Sequence, residues 1–129
     1  MSKVPSHRDL IVWQKAMDLV VLVYELATML PPGERYGMKS QMTRAAVSVP
    51  ANIAEGKGRG TQREYVHFLR IARGSLMELD TYIELVDRLG YADSIVTAPI
   101  RALIVQIGKM LSAVRTRLSI PLPSDPPNT

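Results

Sequence analysis

Three breaks at proline or glycine divide this 129-residue chain into four long segments, and this division constrains the fold more than any other feature. Proline lacks a backbone donor and glycine weakens helices, so both residue types commonly end them. The breaks predict four helices, over residues 10–30, 36–55, 61–89 and 94–118. Short loops between long helices join antiparallel neighbours. We therefore expect an all-α, up-down-up-down antiparallel four-helix bundle.

Residues at the breaks support these boundaries. Gly56 suits the left-handed position that often follows a helix, and Gly90 suits it after the third segment. Thr61 followed by Glu64 has the pattern of a capping box, in which each side chain accepts from a backbone N–H group of the helix start. We expect the third helix to begin there.

Length and composition indicate one domain with a substantial core. We assign residues 1–9 to an N-terminal extension, 10–118 to the helical domain and 119–129 to a disordered tail that contains four prolines. The absence of cysteine excludes disulfides and thiolate metal sites and fits a cytoplasmic location. Charged residues interrupt the longest apolar window, residues 10–30, so we expect no membrane span.

The first helix holds more apolar residues than one bundle needs: 16 of the 21 residues in 10–30 are apolar. We assign one stripe to the bundle core: Leu10, Trp13, Met17, Val20 and Tyr24. A second apolar face is then left over: Val12, Ala16, Leu19, Val23, Leu26 and Leu30. Large exposed apolar faces bind partners, and we expect copies of the same chain to cover this one. A helix at the centre of a monomer would explain the same surplus, but a four-helix bundle has no central helix.

The third helix has the clearest apolar period. Its core positions alternate at three and four residues: Tyr65, Phe68 or Leu69, Ala72, Leu76, Leu79, Ile83 and Val86. This stripe predicts the face that packs inside the bundle.

Four polar residues in the second helix follow one another at spacings of four, four and three, so they share one side of that helix. They are Arg44, Ser48, Asn52 and Glu55. Ser75 and Glu78 of the third helix offer partners, and Gly74 with Ser75 forms a small-residue notch for close approach. We interpret the set as a polar network, buried or at a subunit interface, that fixes register and is not an active site.

Charge is distributed unevenly over a chain of net charge +4. In the antiparallel arrangement one end holds eight basic and three acidic residues, and the other holds four basic and six acidic residues. A positive end suits the phosphate backbone of nucleic acid. The alternative is that the oppositely charged ends are simply solvated or steer the packing of subunits.

No pattern indicates catalysis, a cofactor or a metal. The loop from Gly56 to Thr61 lacks the preceding strand and the spacing of a nucleotide-binding P-loop. His7 and His67 have no partners at metal-binding spacing. The acidic pairs have no nucleophile beside them. We therefore expect a protein that is not an enzyme.

Several motifs together resemble a known family. They are Trp13-Gln14-Lys15-Ala16, Glu34-Arg35-Tyr36-Gly37, residues 44–56, residues 71–79 and Leu89-Gly90-Tyr91. In this order they are similar to the bacterial four-helix-bundle proteins encoded in intervening sequences of large-subunit ribosomal RNA genes. The resemblance covers residues 9–118. That family is related to the accessory (variability determinant) protein of diversity-generating retroelements, a pentameric barrel with a basic surface that binds nucleic acid and a reverse transcriptase.

The resemblance implies a cytoplasmic homopentameric ring and a role with RNA, DNA or a protein partner such as a reverse transcriptase. Taken with the charge pattern, it predicts a non-enzymatic accessory protein that binds nucleic acid non-specifically. The predicted contacts are Lys57, Arg59, Arg63, Arg70, Arg73, Arg115 and Arg117. The alternative is a scaffold that binds a partner protein and no nucleic acid.

Overall fold

The computed structural model describes residues 6–118, which form helices and no strand. The four helices are α1 (Ile11–Ala27), α2 (Met38–Gly58), α3 (Gln62–Leu89) and α4 (Ser94–Leu118). Two short 3-10 turns, His7–Asp9 and Pro32–Glu34, precede α1 and α2. The predicted tail, residues 119–129, lies outside the described residues, as do residues 1–5 of the predicted extension. The all-helical, four-helix prediction is confirmed, and α1 ends three residues earlier than expected.

Two of the predicted helix ends have the expected chemistry. Gly90 follows α3 with a φ of 70°, in the left-handed region. At the start of α3 one half of the predicted capping box is present: the hydroxyl of Thr61 accepts a hydrogen bond from the backbone N–H of Glu64 at 3.2 Å, but the Glu64 carboxylate accepts none from Thr61. These caps satisfy backbone groups that the helix itself leaves without partners.

The prediction for Gly56 is wrong. This glycine lies inside α2 and is buried, and the helix continues to Gly58. A Cβ atom at position 56 would lie 2.7 Å from the Cβ of Phe68 and 3.1 Å from the ring of Tyr65. The residue is therefore small because α3 passes directly against it. The left-handed conformation belongs to Gly60, with a φ of 90°.

A single apolar core joins the four helices. The predicted stripe of α3 is buried from Leu69 onward, with Leu69 and not Phe68 at the ambiguous position, while Tyr65, its first predicted member, is half-buried. The buried members are Leu69, Ala72, Leu76, Leu79, Ile83 and Val86. The core side of α2 contributes Met42, Ala46, Val49 and Ile53, and α4 contributes Ile100, Ile104, Ile107 and Leu111. Burial of such side chains is the main stabilising contribution to a fold of this kind.

The core face assigned to α1 is wrong, because the two apolar faces are interchanged. The buried residues are the set left over above, with Ala27 added: Val12, Ala16, Leu19, Val23, Leu26 and Leu30. The set assigned to the core is half-buried or exposed: Leu10, Trp13, Met17, Val20 and Tyr24. The apolar surplus therefore lies on the Met17 and Tyr24 side.

Contacts between helices fix their register. Along α2 and α3 they run in opposite senses, since Gly56 meets Phe68 and Ser48 meets Ser75. Between α3 and α4, the guanidinium of Arg101 donates to Asp87 at 3.0 Å and to Glu84 at 2.9 Å. The hydroxyl of Thr97 donates to Asp87 at 2.8 Å. This group joins the last turns of α3 to the first turns of α4.

One helix of the described part, over Ser94–Val114, is long and apolar enough to cross a membrane by length and composition. Within the most apolar 18-residue window of this helix, 28% of the residues are buried inside the protein. A core helix of a folded domain meets the same criterion, and α4 supplies four core residues. The expectation of no membrane span considered residues 10–30 only, and it stays a prediction.

Candidate nucleic-acid interface

The loop between α2 and α3 places two cations on two aromatic rings. The Lys57 ammonium lies 5.8 Å from the centre of the Tyr65 ring, and the Arg59 guanidinium lies 5.2 Å from the centre of the Phe68 ring. The absence of a side chain at Gly56 lets both rings pack against α2. Cation–π contacts of this kind orient a charged group while leaving it accessible to solvent.

The end of α4 reaches the same place. Burial raises the pKa of Tyr65, and the positive charge of Arg117 opposes that rise, so Arg117 lies within electrostatic range of the ring. Two predicted contacts, Lys57 and Arg59, therefore come together on Tyr65 and Phe68, and Arg117 lies within electrostatic range of Tyr65. We call this region the basic end. The side chain of Arg115 lies outside the described part of the structure.

The remaining predicted contacts all lie on α3. Arg63 is exposed in the first turn, at the basic end. Arg70 is exposed farther along the helix. Arg73 is half-buried in a groove between α3 and α4, where Lys109 also lies. The predicted set therefore divides into a cluster at the end of the molecule and a row along its side.

Sequence reasoning missed two features of the basic surface. Lys109 was not selected, because its position beside Arg73 follows only from the register of α4 against α3. At the start of the chain, the Arg8 guanidinium lies 5.8 Å from the centre of the Trp13 ring, and the His7 ring packs edge-on against Trp13 at 5.0 Å. The basic residues preceding Trp13 were visible in the sequence, but assigning that ring to the core concealed the contact.

Acidic neighbours weaken the positive charge only in part. Glu55 lies 3.7 Å from the Arg59 guanidinium, and both side chains are about half exposed. Exposed pairs of this kind interact by at most about 1 kcal/mol, so Arg59 can exchange Glu55 for another anion. A hollow of about 230 Å³ beside Lys57 and Tyr65 opens onto the first turn of α3, whose N-terminus carries partial positive charge.

The predicted polar network exists in a smaller form. The hydroxyls of Ser48 and Ser75 lie 2.7 Å apart, and the amide of Asn52 donates to the hydroxyl and the carbonyl of Ser48 at 2.9 and 2.8 Å. All three residues are half-buried. This cluster holds α2 against α3 through polar groups that satisfy one another.

Three residues expected in the network are not in it. Arg44 lines a groove between α1 and α2, Glu55 pairs with Arg59, and Glu78 is exposed. Of the notch expected at Gly74 and Ser75, only Ser75 meets α2, through the hydroxyl of Ser48; a Cβ at Gly74 would meet nothing within 4 Å. Nearer the basic end, Gly56 allows the close approach of α2 and α3.

Within residues 6–118, no group of three or more histidine, aspartate and glutamate side chains could hold a metal ion. The expectation that the chain is not an enzyme stays a prediction.

Comparison with known proteins places this geometry in context. A family model described as 23S rRNA-intervening sequence protein matches residues 8–113. The chain is similar to a protein with unknown function from the S23 ribosomal protein family of Bacteroides thetaiotaomicron VPI-5482, whose crystal structure is known at 1.70 Å. The two sequences are 24% identical, and the two structures superpose with a TM-score of 0.76. The similarity covers 81% of this chain and 98% of that one, and it shows the shared fold. None of the curated proteins matches the chain.

Proposed function

The chain belongs to the 23S rRNA-intervening sequence protein family, and from this membership we propose that it is a non-enzymatic, oligomeric accessory protein that binds nucleic acid non-specifically. The main support is the basic end, where Lys57 and Arg59 form cation–π contacts with aromatic rings and Arg117 lies within electrostatic range of Tyr65. Phosphate groups are the ligands that such clustered, solvent-accessible cations attract. The proposal uses no base-specific contact, since contacts to phosphate carry no sequence information.

The arrangement that we propose for the four helices is an up-down-up-down antiparallel bundle. The opposite senses of the contacts between α2 and α3 and between α3 and α4 support it. Copies of the bundle assemble into a ring, for which the resemblance implies five members. The apolar surplus supports assembly, since Val21 is 57% and Val105 56% exposed. A ring multiplies the positive field of one basic end. The location in the cytoplasm and the relation to retroelement accessory proteins stay predictions.

A triple substitution tests nucleic-acid binding. Lys57→Ala, Arg59→Ala and Arg63→Ala together remove three cations from the basic end. We expect weaker binding to both RNA and DNA, and a salt dependence whose logarithmic slope is smaller by about three. Electrophoretic mobility shift at several salt concentrations measures both quantities.

The matched control removes three cations from the opposite end of the molecule: Arg35→Ala, Lys39→Ala and Arg88→Ala. It changes the net charge equally, so we expect a smaller loss of affinity than in the basic-end variant. Equal losses in the two variants, or unchanged binding in the first, would contradict the proposal.

The second candidate is a scaffold that binds a partner protein, such as a reverse transcriptase, without nucleic acid. Its support is the pair of large apolar side chains with the highest exposure in the described part, Tyr36 at 85% and Ile95 at 80%. Both lie at helix ends away from Lys57. Wild-type protein that shifts neither RNA nor DNA at low salt would favour this candidate.

A further inference from the structure

Two aromatic side chains at the basic end lie at the edge of the apolar core and not inside it. Periodicity predicts Tyr65 and either Phe68 or Leu69 as core positions of α3, and the structure places Leu69 there. Tyr65 and Phe68 are half-buried, so each keeps part of its surface in contact with solvent. The core therefore does not use up these two rings, and they are available for contacts with a ligand.

The two rings point toward the end of the molecule. Side chains of a helix lean toward its N-terminus, and α3 begins at the basic end. Since Tyr65 and Phe68 are three residues apart on one helix, their Cβ atoms are separated by about 5–6 Å. Nucleotides along one strand of a duplex repeat every ~3.4 Å. The wider spacing of the rings suits successive bases that are not stacked on each other.

Open space lies directly beside the Tyr65 ring. A hollow of about 230 Å³ is lined by this ring together with Lys57, Gly60 and Thr61. Gly60 and Thr61 are small and exposed, so the hollow can be entered from solvent. A planar base that enters it can lie against the ring. The Lys57 ammonium, 5.8 Å from the ring centre, is then within reach of the phosphate of the same nucleotide.

The Phe68 ring is covered only by a contact that exchanges easily. The Arg59 guanidinium lies 5.2 Å from the ring centre and 3.7 Å from the Glu55 carboxylate. Its side chain is 49% exposed, and solvent-exposed contacts of both kinds are weak. A base can therefore replace the guanidinium on the ring, and the guanidinium can move to a phosphate.

The combination of rings and cations distinguishes between forms of nucleic acid. Cations alone serve a duplex and a single strand, because both carry phosphates. Aromatic rings favour the single strand, since only an unpaired base offers its face for stacking. Residues 6–118 contain four cation–aromatic pairs, and two of them, on Tyr65 and Phe68, lie next to each other at this one site.

We propose that the basic end binds unpaired nucleic acid, with one base stacked on Tyr65 in the hollow and the next base stacked on Phe68. The inference rests on the proposed function and names the class of its ligand, single-stranded RNA or DNA. Lys57 and Arg59 contact the phosphates of the same strand. Every base has a face that can stack, so this binding does not depend on base sequence.

Removal of the bases from the ligand tests the stacking directly. An abasic strand carries the same phosphates as an oligothymidine of equal length but has no bases. We expect the wild-type protein to bind the oligothymidine about tenfold more tightly, as measured by fluorescence anisotropy at one salt concentration. Equal affinities would overturn the stacking and leave the proposed function intact. Failure to bind either strand at low salt would overturn both.

Ring substitutions test whether the stacking takes place at this site. Tyr65→Leu and Phe68→Leu remove an aromatic face and keep every charge. Each should weaken oligothymidine binding about tenfold, with little change in binding of the abasic strand or in the salt dependence. Circular dichroism checks that both variants are folded. If they are not, the comparison of the two strands on the wild-type protein still decides.

Two controls accompany these variants. Tyr65→Phe keeps the ring and should keep the wild-type affinity. Tyr36→Leu removes a ring that also pairs with an arginine but precedes α2, about 30 Å along that helix from Lys57, and should leave binding unchanged. Equal loss of binding to both strands in the leucine variants would show that the rings only hold the cations, and would overturn the inference. A loss as large in Tyr36→Leu would overturn the assigned site.

Discussion

At the scale of the residue, Gly56 shows how one missing side chain shapes the site. Its lack of a Cβ brings Tyr65 and Phe68 against α2, and these rings then support Lys57 and Arg59. The sequence marked Gly56 as special but could not give the reason, because a glycine that ends a helix and a glycine that allows close packing look alike until the neighbouring helix is placed. The two cation–aromatic pairs depend on the same placement of α3 against α2, so the sequence alone could not predict them either.

We expect Gly56→Ala to lower the free energy of unfolding. The new methyl group would overlap the Cβ of Phe68 and approach the backbone of Tyr65, and such overpacking costs about 1–3 kcal/mol. Alanine recovers up to about 1 kcal/mol of helix propensity, so the net effect is destabilising. Urea denaturation measures it.

Gly74→Ala is the control, since position 74 also lies within a helix but faces open space. We expect that substitution to stabilise the protein by about 0.5–1 kcal/mol. Similar stabilisation by the two substitutions would contradict the role assigned to Gly56.

At the scale of the element, the helices themselves were predictable and their orientation was not always so. The stripe of α3 stands out because polar residues surround it, so periodicity alone identifies the buried face. In α1 both stripes are apolar, and periodicity cannot choose between Ala16 and Met17 as core positions. The choice depends on the shapes of α2 and α4, which a single helix does not contain.

The junction between α3 and α4 gives a prediction about pH. Hydrogen bonds from Arg88 and Arg101 lower the pKa of Glu84 below its ordinary value. Because the pKa of Glu84 is lower in the folded state, its ionised carboxylate stabilises the fold at pH values above the ordinary pKa of a glutamate. This stabilisation is lost as the pH falls through the pKa that Glu84 has in the folded protein. We expect the melting temperature of Glu84→Gln to lie below that of the wild type at pH 7, and the difference to shrink as the pH falls below the ordinary pKa of a glutamate.

Glu78→Gln serves as the control for that experiment, because Glu78 is exposed on the same helix and forms no hydrogen bond or salt bridge among residues 6–118. Its difference from the wild type should stay small and change little with pH. A wild-type advantage over Glu84→Gln that does not shrink as the pH falls below the ordinary glutamate pKa would show that the carboxylate charge contributes nothing at this junction.

At the scale of the whole molecule, the sequence predicted more apolar surface than one protomer hides, and the structure leaves such side chains exposed on α1 and α4, among them Val21 and Val105. Assembly favours the folded protomer by mass action. We therefore expect the melting temperature to rise with protein concentration, as measured by calorimetry between about 1 and about 100 μM. A constant melting temperature together with single-chain mass would contradict assembly.

The single tryptophan offers a label-free reporter of the N-terminal turn. Trp13 is half-buried, and the His7 ring and the Arg8 guanidinium pack against it. An indole in such a polar setting changes its fluorescence emission when the groups around it move or acquire an anion. The emission of Trp13, excited at long wavelengths that the five tyrosines do not absorb, can therefore follow events at the N-terminal turn in the unmodified protein.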